Sequence, residues 1–305
     1  MTRPFPQRVV LALLAVAATA PAGARAQATA ATQLWRLAAS TLPQPAALAT
    51  GGAAAFWNPA QAGDTRRAVA GLEIVQTSPV VGAAGFLAAV RTRVASLGDV
   101  GLLYGRMEIS DLTRTSTTPQ PDPGSIPYNA VSMGLTWARV VAGATVGAAL
   151  RFNESRFDTE VLHRWTLDVA LQHRVGVLRV GAATHLVSAA RNDAAQDAYA
   201  GAGVVVWRGV PWAGGRKTTV ELRYGLSFGH GFPPDHGLGF GVDFGEVLGV
   251  DLMLAREGAY VGSAWRPVGG LRLAVGRYRV TVARDAGVNR VGAAFRAGLA
   301  VGFGP

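Results

Sequence analysis

The sequence predicts an all-β chain: a transmembrane antiparallel β-barrel of about fourteen strands, with an N-terminal segment lodged in its lumen. Three observations carry that expectation. Only 16% of the 305 residues are charged and 50% are hydrophobic, whereas soluble domains run nearer about 25% charged. Windows of about ten residues alternate apolar with small or polar side chains, the period of a strand with one face on lipid and one on an interior. Past the first 26 residues no run of 18 apolar residues occurs that could cross a membrane as a helix.

The chain divides into three parts. Residues 1–26 read as a secretory signal peptide, with Arg3 and Arg8 ahead of an apolar run from Val9 to Ala20 and a small-x-small site at Ala24-Arg25-Ala26. Residues 27–66 do not alternate, yet they contain Trp35, Phe56 and Trp57. A segment this apolar needs burial, and the glycine-rich inner faces of the strands offer it. It is therefore expected to be a plug or hatch, the other reading being a periplasmic tail. Residues 67–305 form the barrel.

Within the barrel, alternation is cleanest at the end of the chain. Val291, Ala293, Phe295, Ala297, Leu299, Val301 and Phe303 share one face, with Arg290, Gly292, Ala294, Arg296, Gly298, Ala300 and Gly302 on the other. The windows 131–137, 165–172, 220–229 and 238–244 repeat the pattern. Helical spacing would mix Arg and Gly with Leu and Phe, and a soluble sandwich would carry more outward charge. The expected strands are 67–77, 80–92, 98–110, 127–138, 141–154, 158–174, 177–189, 198–208, 217–230, 236–244, 248–256, 259–267, 271–283 and 288–303. Tight turns are read at Gly176, Gly245-Glu246, Glu257-Gly258 and Gly269-Gly270. Longer polar breaks at 111–126, 190–197 and 231–235 read as extracellular loops, and 209–216 as a longer periplasmic break. A change of phase near Gly276 reads as a bulge inside 271–283.

The absence of cysteine excludes a disulfide scaffold and cysteine-ligated metals. No metal or other cofactor is expected. Gly225-Leu226-Ser227-Phe228-Gly229 spells a nucleophile-elbow motif, but it lies within an alternating strand with no helix after it. Nothing in the sequence brings Ser227 to His185, and His230 with His236 reads as a solvated loop. No enzymatic activity is expected. The net charge of +10 is spread through strands rather than clustered, so nucleic acid is not an expected partner. Inward-facing Arg151, Arg179, Arg223, Arg290 and Arg296 are roughly balanced by Glu73, Asp168, Glu221, Asp243 and Asp251. The favoured reading is a salt-bridged wall; an anion-preferring pore is the alternative. Trp137, Trp207 and Trp265 near strand ends suit an aromatic girdle.

Two motifs carry resemblances. Arg296-Ala297-Gly298-Leu299-Ala300-Val301-Gly302-Phe303 resembles the final-strand assembly signal of outer-membrane barrels, with Arg296, Gly298, Val301 and Phe303 at its fixed positions. It departs from that pattern in the Gly304 and Pro305 that follow. The match implies outer-membrane lipid and the barrel assembly machinery as partners, in a Gram-negative-type bacterium. Phe56-Trp57-Asn58-Pro59-Ala60, flanked by Gly51-Gly52 and Ala62-Gly63, resembles the N-terminal segment of FadL-like outer-membrane proteins, and within them the PorV/PorQ branch. That resemblance implies a fourteen-stranded barrel with its N-terminal segment tucked inside. It also implies a non-enzymatic role, either in secretion with cargo proteins as partners or in uptake of hydrophobic compounds such as long-chain fatty acids. A general diffusion porin is the alternative that needs no family. Locally, Pro59 fixes its own φ and pushes Asn58 from the helical region, freeing the Asn58 side chain to cap a turn or bond the wall.

Overall fold

The structure, a computed structural model, describes residues 30–61, 67–114, 124–188, 196–212, 216–229, 233–245, 247–259, 262–287 and 292–304. Residues 1–26, expected as a signal peptide, and Arg290 lie outside them, as do parts of the expected loops. Fourteen antiparallel strands each pair with the next in sequence, and the last returns to the first. They are β1 (Ala68–Gln76), β2 (Ala83–Val94), β3 (Gly98–Ile109), β4 (Tyr128–Val141), β5 (Ala144–Phe157), β6 (Glu160–Val175) and β7 (Leu178–His185). The rest are β8 (Asp197–Trp212), β9 (Arg216–Gly229), β10 (Asp235–Phe244), β11 (Leu248–Ala259), β12 (Gly262–Val275), β13 (Tyr278–Asp285) and β14 (Ala294–Phe303). Closure is made by β1 against β14, from Ala68↔Phe303 to Gln76↔Phe295. Closing the sheet removes the unpaired edge that a bilayer would not tolerate.

Alternation sorts the side chains as the lipid requires. Leu72, Leu102, Leu135, Leu222, Leu271 and Leu299 all stand exposed on the outer wall, each about half accessible. The alternate positions, such as Gly71, Gly105, Ala149, Asp168, Arg223 and Ala300, face inward. No helix is long and apolar enough to cross a membrane; the crossing elements are strands.

One end of the barrel carries the start of β1, the end of β14 and short turns at 142–143, 176–177 and 276–277. Gly176 and Gly276 sit there at φ 58° and 59°, a left-handed conformation that glycine adopts without strain. The expected long breaks at 111–126, 190–197 and 231–235 fall at the other end, hereafter the loop end.

Four local expectations are corrected. Gly269-Gly270 is not a turn: both residues lie inside β12, opposite Arg284 and Ala283. Gly270 is small for another reason, since a Cβ there would fall 2.7 Å from Pro43 Cγ of the N-terminal segment. The phase change at Gly276 is not a bulge but the β12–β13 turn itself. Glu257-Gly258 belongs to β11, and 209–212 to β8, whose ladder with β9 runs on to Trp212↔Arg216. The irregularities of that ladder lie between Val205 and Trp207 and between Arg208 and Pro211. Pro and Gly in these strands mark bulges and close approaches, and composition alone does not separate those from turns.

Candidate functional site

Residues 30–61 lie within the barrel. Good helix formers from Gln33 build α1 (Gln33–Ser40), which Pro43 prevents from continuing. Ser40 and Thr41 close it by donating their hydroxyls to the Leu37 and Ala38 carbonyls, both at 2.8 Å. Two single 3-10 turns follow, Ala46–Leu48 and Ala54–Phe56. Asn58 then ties the segment to itself. Its Oδ1 accepts from Ala60 N at 2.9 Å, an Asx-type turn over Pro59, and its Nδ2 donates to the Ala47 carbonyl at 2.5 Å. Asn58 therefore caps its own turn and bonds the segment rather than the wall. Gln44 reaches the Thr50 carbonyl and Gln61 the Gly51 carbonyl.

The inner wall receives this unit at glycines. A Cβ on Gly147 of β5 would meet Pro59 and Ala60 backbone at 2.3 Å, and one on Gly71 of β1 would meet Gly52 Cα at 2.2 Å. Gly105 lies under Phe56 and Trp35, and Gly181 under the Ala47 carbonyl. A side chain at these positions would push the segment off the wall.

Polar contacts come from arginines. Arg151 donates to the Phe56 carbonyl at 2.5 Å, Arg179 to Leu48 at 3.3 Å, Arg266 to Ser40 at 3.1 Å and Arg296 to Ala38 at 2.5 Å. Each of the four also pairs with a wall carboxylate: Asp168, Glu221, Asp285 and Glu73 respectively. The carboxylates neutralise the guanidiniums, and the spare N–H groups of each fork satisfy carbonyls that the segment's short turns leave unpaired. Arg36, the one charged residue among 30–61, is matched by Asp197 of β8 at 3.0 Å.

Aromatic packing fills the centre. Trp35 and Phe56 lie 4.9 Å apart between centroids, and Phe56 meets Trp57 edge-on at 5.1 Å. His185, fully buried, packs on both Phe56 and Trp57. The Arg151 guanidinium sits 4.6 Å above the Phe56 ring. Cavities flank the segment: one of about 330 Å³ between α1 and strands β8 to β12 at the loop end, and one of about 90 Å³ at the terminal end.

Phe56, Trp57, Asn58 and Ala60 are all fully buried in this unit, and Pro59 faces Gly147. Arg151, Arg179, Glu221 and Arg223 all face inward. Arg223 bridges Glu221 and Asp251, and Arg272 continues the ladder to Asp243. Of the final-strand residues, Phe303 is exposed on the outer wall, whereas Arg296 is buried against α1. Ser227 lies opposite Tyr199 and Asp235 in register, and no hydrogen bond joins it to His185 among the described residues. No cluster of three metal-binding side chains occurs among the described residues. Sequence reasoning missed Arg266, Asp285 and Arg36. The first two sit at inward positions of β12 and β13, but the misplaced turn at Gly269-Gly270 hid their pairing.

No protein-family model matches the chain. A comparison with curated proteins likewise finds no match. Solved structures of similar architecture include the toluene transporter TodX of P. putida, at 10% identity and TM-score 0.48, covering 84% of this chain and 95% of that one. An engineered porin of Rh. blastica aligns at 10% identity and TM-score 0.41, over 77% of this chain and 98% of its own. CdiB of Acinetobacter baumannii aligns at 7% identity and TM-score 0.41 over 78% of this chain; the chain spans 60% of CdiB's length. By its own closed strand ladder, the chain is a transmembrane β-barrel of fourteen antiparallel strands.

Proposed function

We propose that the protein is a non-enzymatic transport barrel of the Gram-negative outer membrane, exported by its signal peptide, in which residues 30–61 serve as a plug. The loop end faces the exterior and the terminal end the periplasm. The observation that carries this reading is the set of four wall arginines, each neutralised by its own carboxylate and each bonded to a backbone carbonyl of the segment. A general diffusion porin has no use for such a set. A buried aromatic contributes roughly 2–3 kcal/mol of burial free energy, so Trp35, Phe56 and Trp57 together hold the plug seated at rest.

The Asn58-Pro59-Ala60 turn supports a FadL-like transporter, with hydrophobic compounds such as long-chain fatty acids as cargo. The aromatic pair Phe56-Trp57 ahead of that turn favours the PorV/PorQ branch, and with it a secretion role in which cargo proteins are held at the outer membrane. Uptake of a labelled long-chain fatty acid by cells with and without the gene tests the first. Retention of secreted proteins at the surface of the same cells tests the second. Recovery of the protein in the soluble periplasmic fraction would end both.

A further inference from the structure

Among the described residues, the pairing of inward charges thins at the terminal end of the lumen. Six inward arginines of the wall, Arg151, Arg179, Arg223, Arg266, Arg272 and Arg296, each pair with a carboxylate. Arg279 of β13 does not. It faces inward, opposite Ala274 and Ala300 in the two neighbouring strands, and makes no ion pair or hydrogen bond among the described residues. It lines the cavity of about 90 Å³ at the terminal end, between the Thr50-Gly51-Gly52 turn of the segment and the wall.

Two more guanidiniums line the same cavity. Among the described residues the Arg277 guanidinium contacts a phenol and no carboxylate: its Nη2 donates to Tyr278 Oη at 2.8 Å, and its carbon stands 5.1 Å from that ring's centroid. Arg91 donates to Asp99 at 2.8 Å, but that carboxylate is shared with Arg93 at 2.8 Å. Three guanidiniums therefore line a recess that has no carboxylate among its described lining residues, Asp99 being shared between Arg91 and Arg93. The other acid nearby, Glu73, is taken by Arg296. Gly51 adds a stretch of backbone with no side chain to obstruct an approaching ligand, at φ 128°.

We propose that this recess binds a phosphate-sized oxyanion, with Arg279 and Arg277 as its principal donors. A planar fork of N–H donors suits a tetrahedral oxyanion. The volume admits an ion of that size and little more. Bound there, the anion bridges β13 to the Gly51-Gly52 turn, which takes no hydrogen bond from a wall arginine among the described residues. The site does not depend on what the barrel carries. The oxyanion comes either from free phosphate or from the headgroup of a phospholipid in the adjoining leaflet.

The test uses the full-length protein folded in uncharged detergent, titrated with inorganic phosphate by calorimetry. Saturable binding is expected, weakened about tenfold by Arg279→Gln, the order of loss for one charge-assisted hydrogen bond. Arg279→Lys should retain part of it. Arg139→Gln, on the outer face of the same end, should leave it unchanged. Heat-modifiable gel mobility confirms that each variant is folded. If phosphate does not saturate, native mass spectrometry with phosphatidylglycerol and phosphatidylcholine decides the source. Preferential retention of phosphatidylglycerol that Arg279→Gln abolishes assigns the site to the headgroup. Binding of neither probe, or equal loss in Arg139→Gln, overturns the proposal.

Discussion

Arg296 of β14 and Glu73 of β1 pair at 2.5 Å across the seam where the barrel closes, and the same guanidinium bonds the Ala38 carbonyl and Thr41 Oγ1 of the N-terminal segment. One side chain thus joins the last strand, the first strand and the lumenal segment. Both ends of the barrel sheet and its contents are fixed through a single buried fork, with Trp57 5.8 Å away on its face.

Arg296→Met should be costly. It leaves Glu73 as a buried carboxylate without its partner, a change that typically costs about 3–5 kcal/mol. The denaturation midpoint of the refolded protein should fall, and adding Glu73→Gln should recover part of the loss. A double variant no more stable than Arg296→Met alone would show that the pair is not coupled.

Gly147→Ala should loosen the segment without harming the wall. The new Cβ would stand 2.3 Å from Pro59 and Ala60 backbone, and overpacking of this kind costs about 1–3 kcal/mol. Gly269→Ala is the control, because nothing lies within 4 Å of its Cβ position. Limited proteolysis within 30–61 should accelerate for Gly147→Ala alone. Equal rates for both variants would argue against close contact at that glycine.

Asn58→Ala removes two hydrogen bonds from a fully buried site and leaves the Ala47 carbonyl and the Ala60 N–H without partners, a loss of about 2–4 kcal/mol. Asn58→Asp keeps the acceptor for Ala60 N but sets an acceptor-only carboxylate against the Ala47 carbonyl in a buried site, so it should cost at least as much as Asn58→Ala. Urea titration of the three proteins, followed by tryptophan fluorescence from Trp35 and Trp57, orders them.

Phe303→Ala tests the assembly motif cleanly. Phe303 is 47% exposed on the outer wall, paired with Ala68, so its loss disturbs little inside. Gly298→Val is less clean, since its side chain would press on Thr281 Oγ1 at 2.5 Å and Glu73 Cγ at 2.9 Å. Lower outer-membrane levels of Phe303→Ala, with normal stability once folded, are expected. Unchanged levels would make the motif a coincidence of alternation.

The barrel was legible because lipid imposes a period of two on nearly every strand. Leu222, Tyr224 and Phe228 against Glu221, Arg223 and Gly225 leave one way to face. Strand ends were less legible. Gly270 read as a turn residue, yet it makes room for Pro43, and the strand expected to stop at Pro267 runs on through it as β12, with Pro267 opposite Leu254. Composition records that a residue is small or lacks an N–H, not which contact requires it. The inward charges were assignable as a class from Arg151, Arg223 and Glu221. Their second bonds, to carbonyls of Ala38, Ser40, Leu48 and Phe56, were not, because a backbone acceptor leaves no trace in residue type.

The central claim is that the segment occupies the lumen and blocks it, and conductance in planar bilayers tests this most directly. The intact protein should pass little current, whereas a variant lacking residues 33–58 should still insert and form a steady pore. A steady open pore from the intact protein, unchanged by the deletion, would contradict the account and leave a diffusion porin in its place.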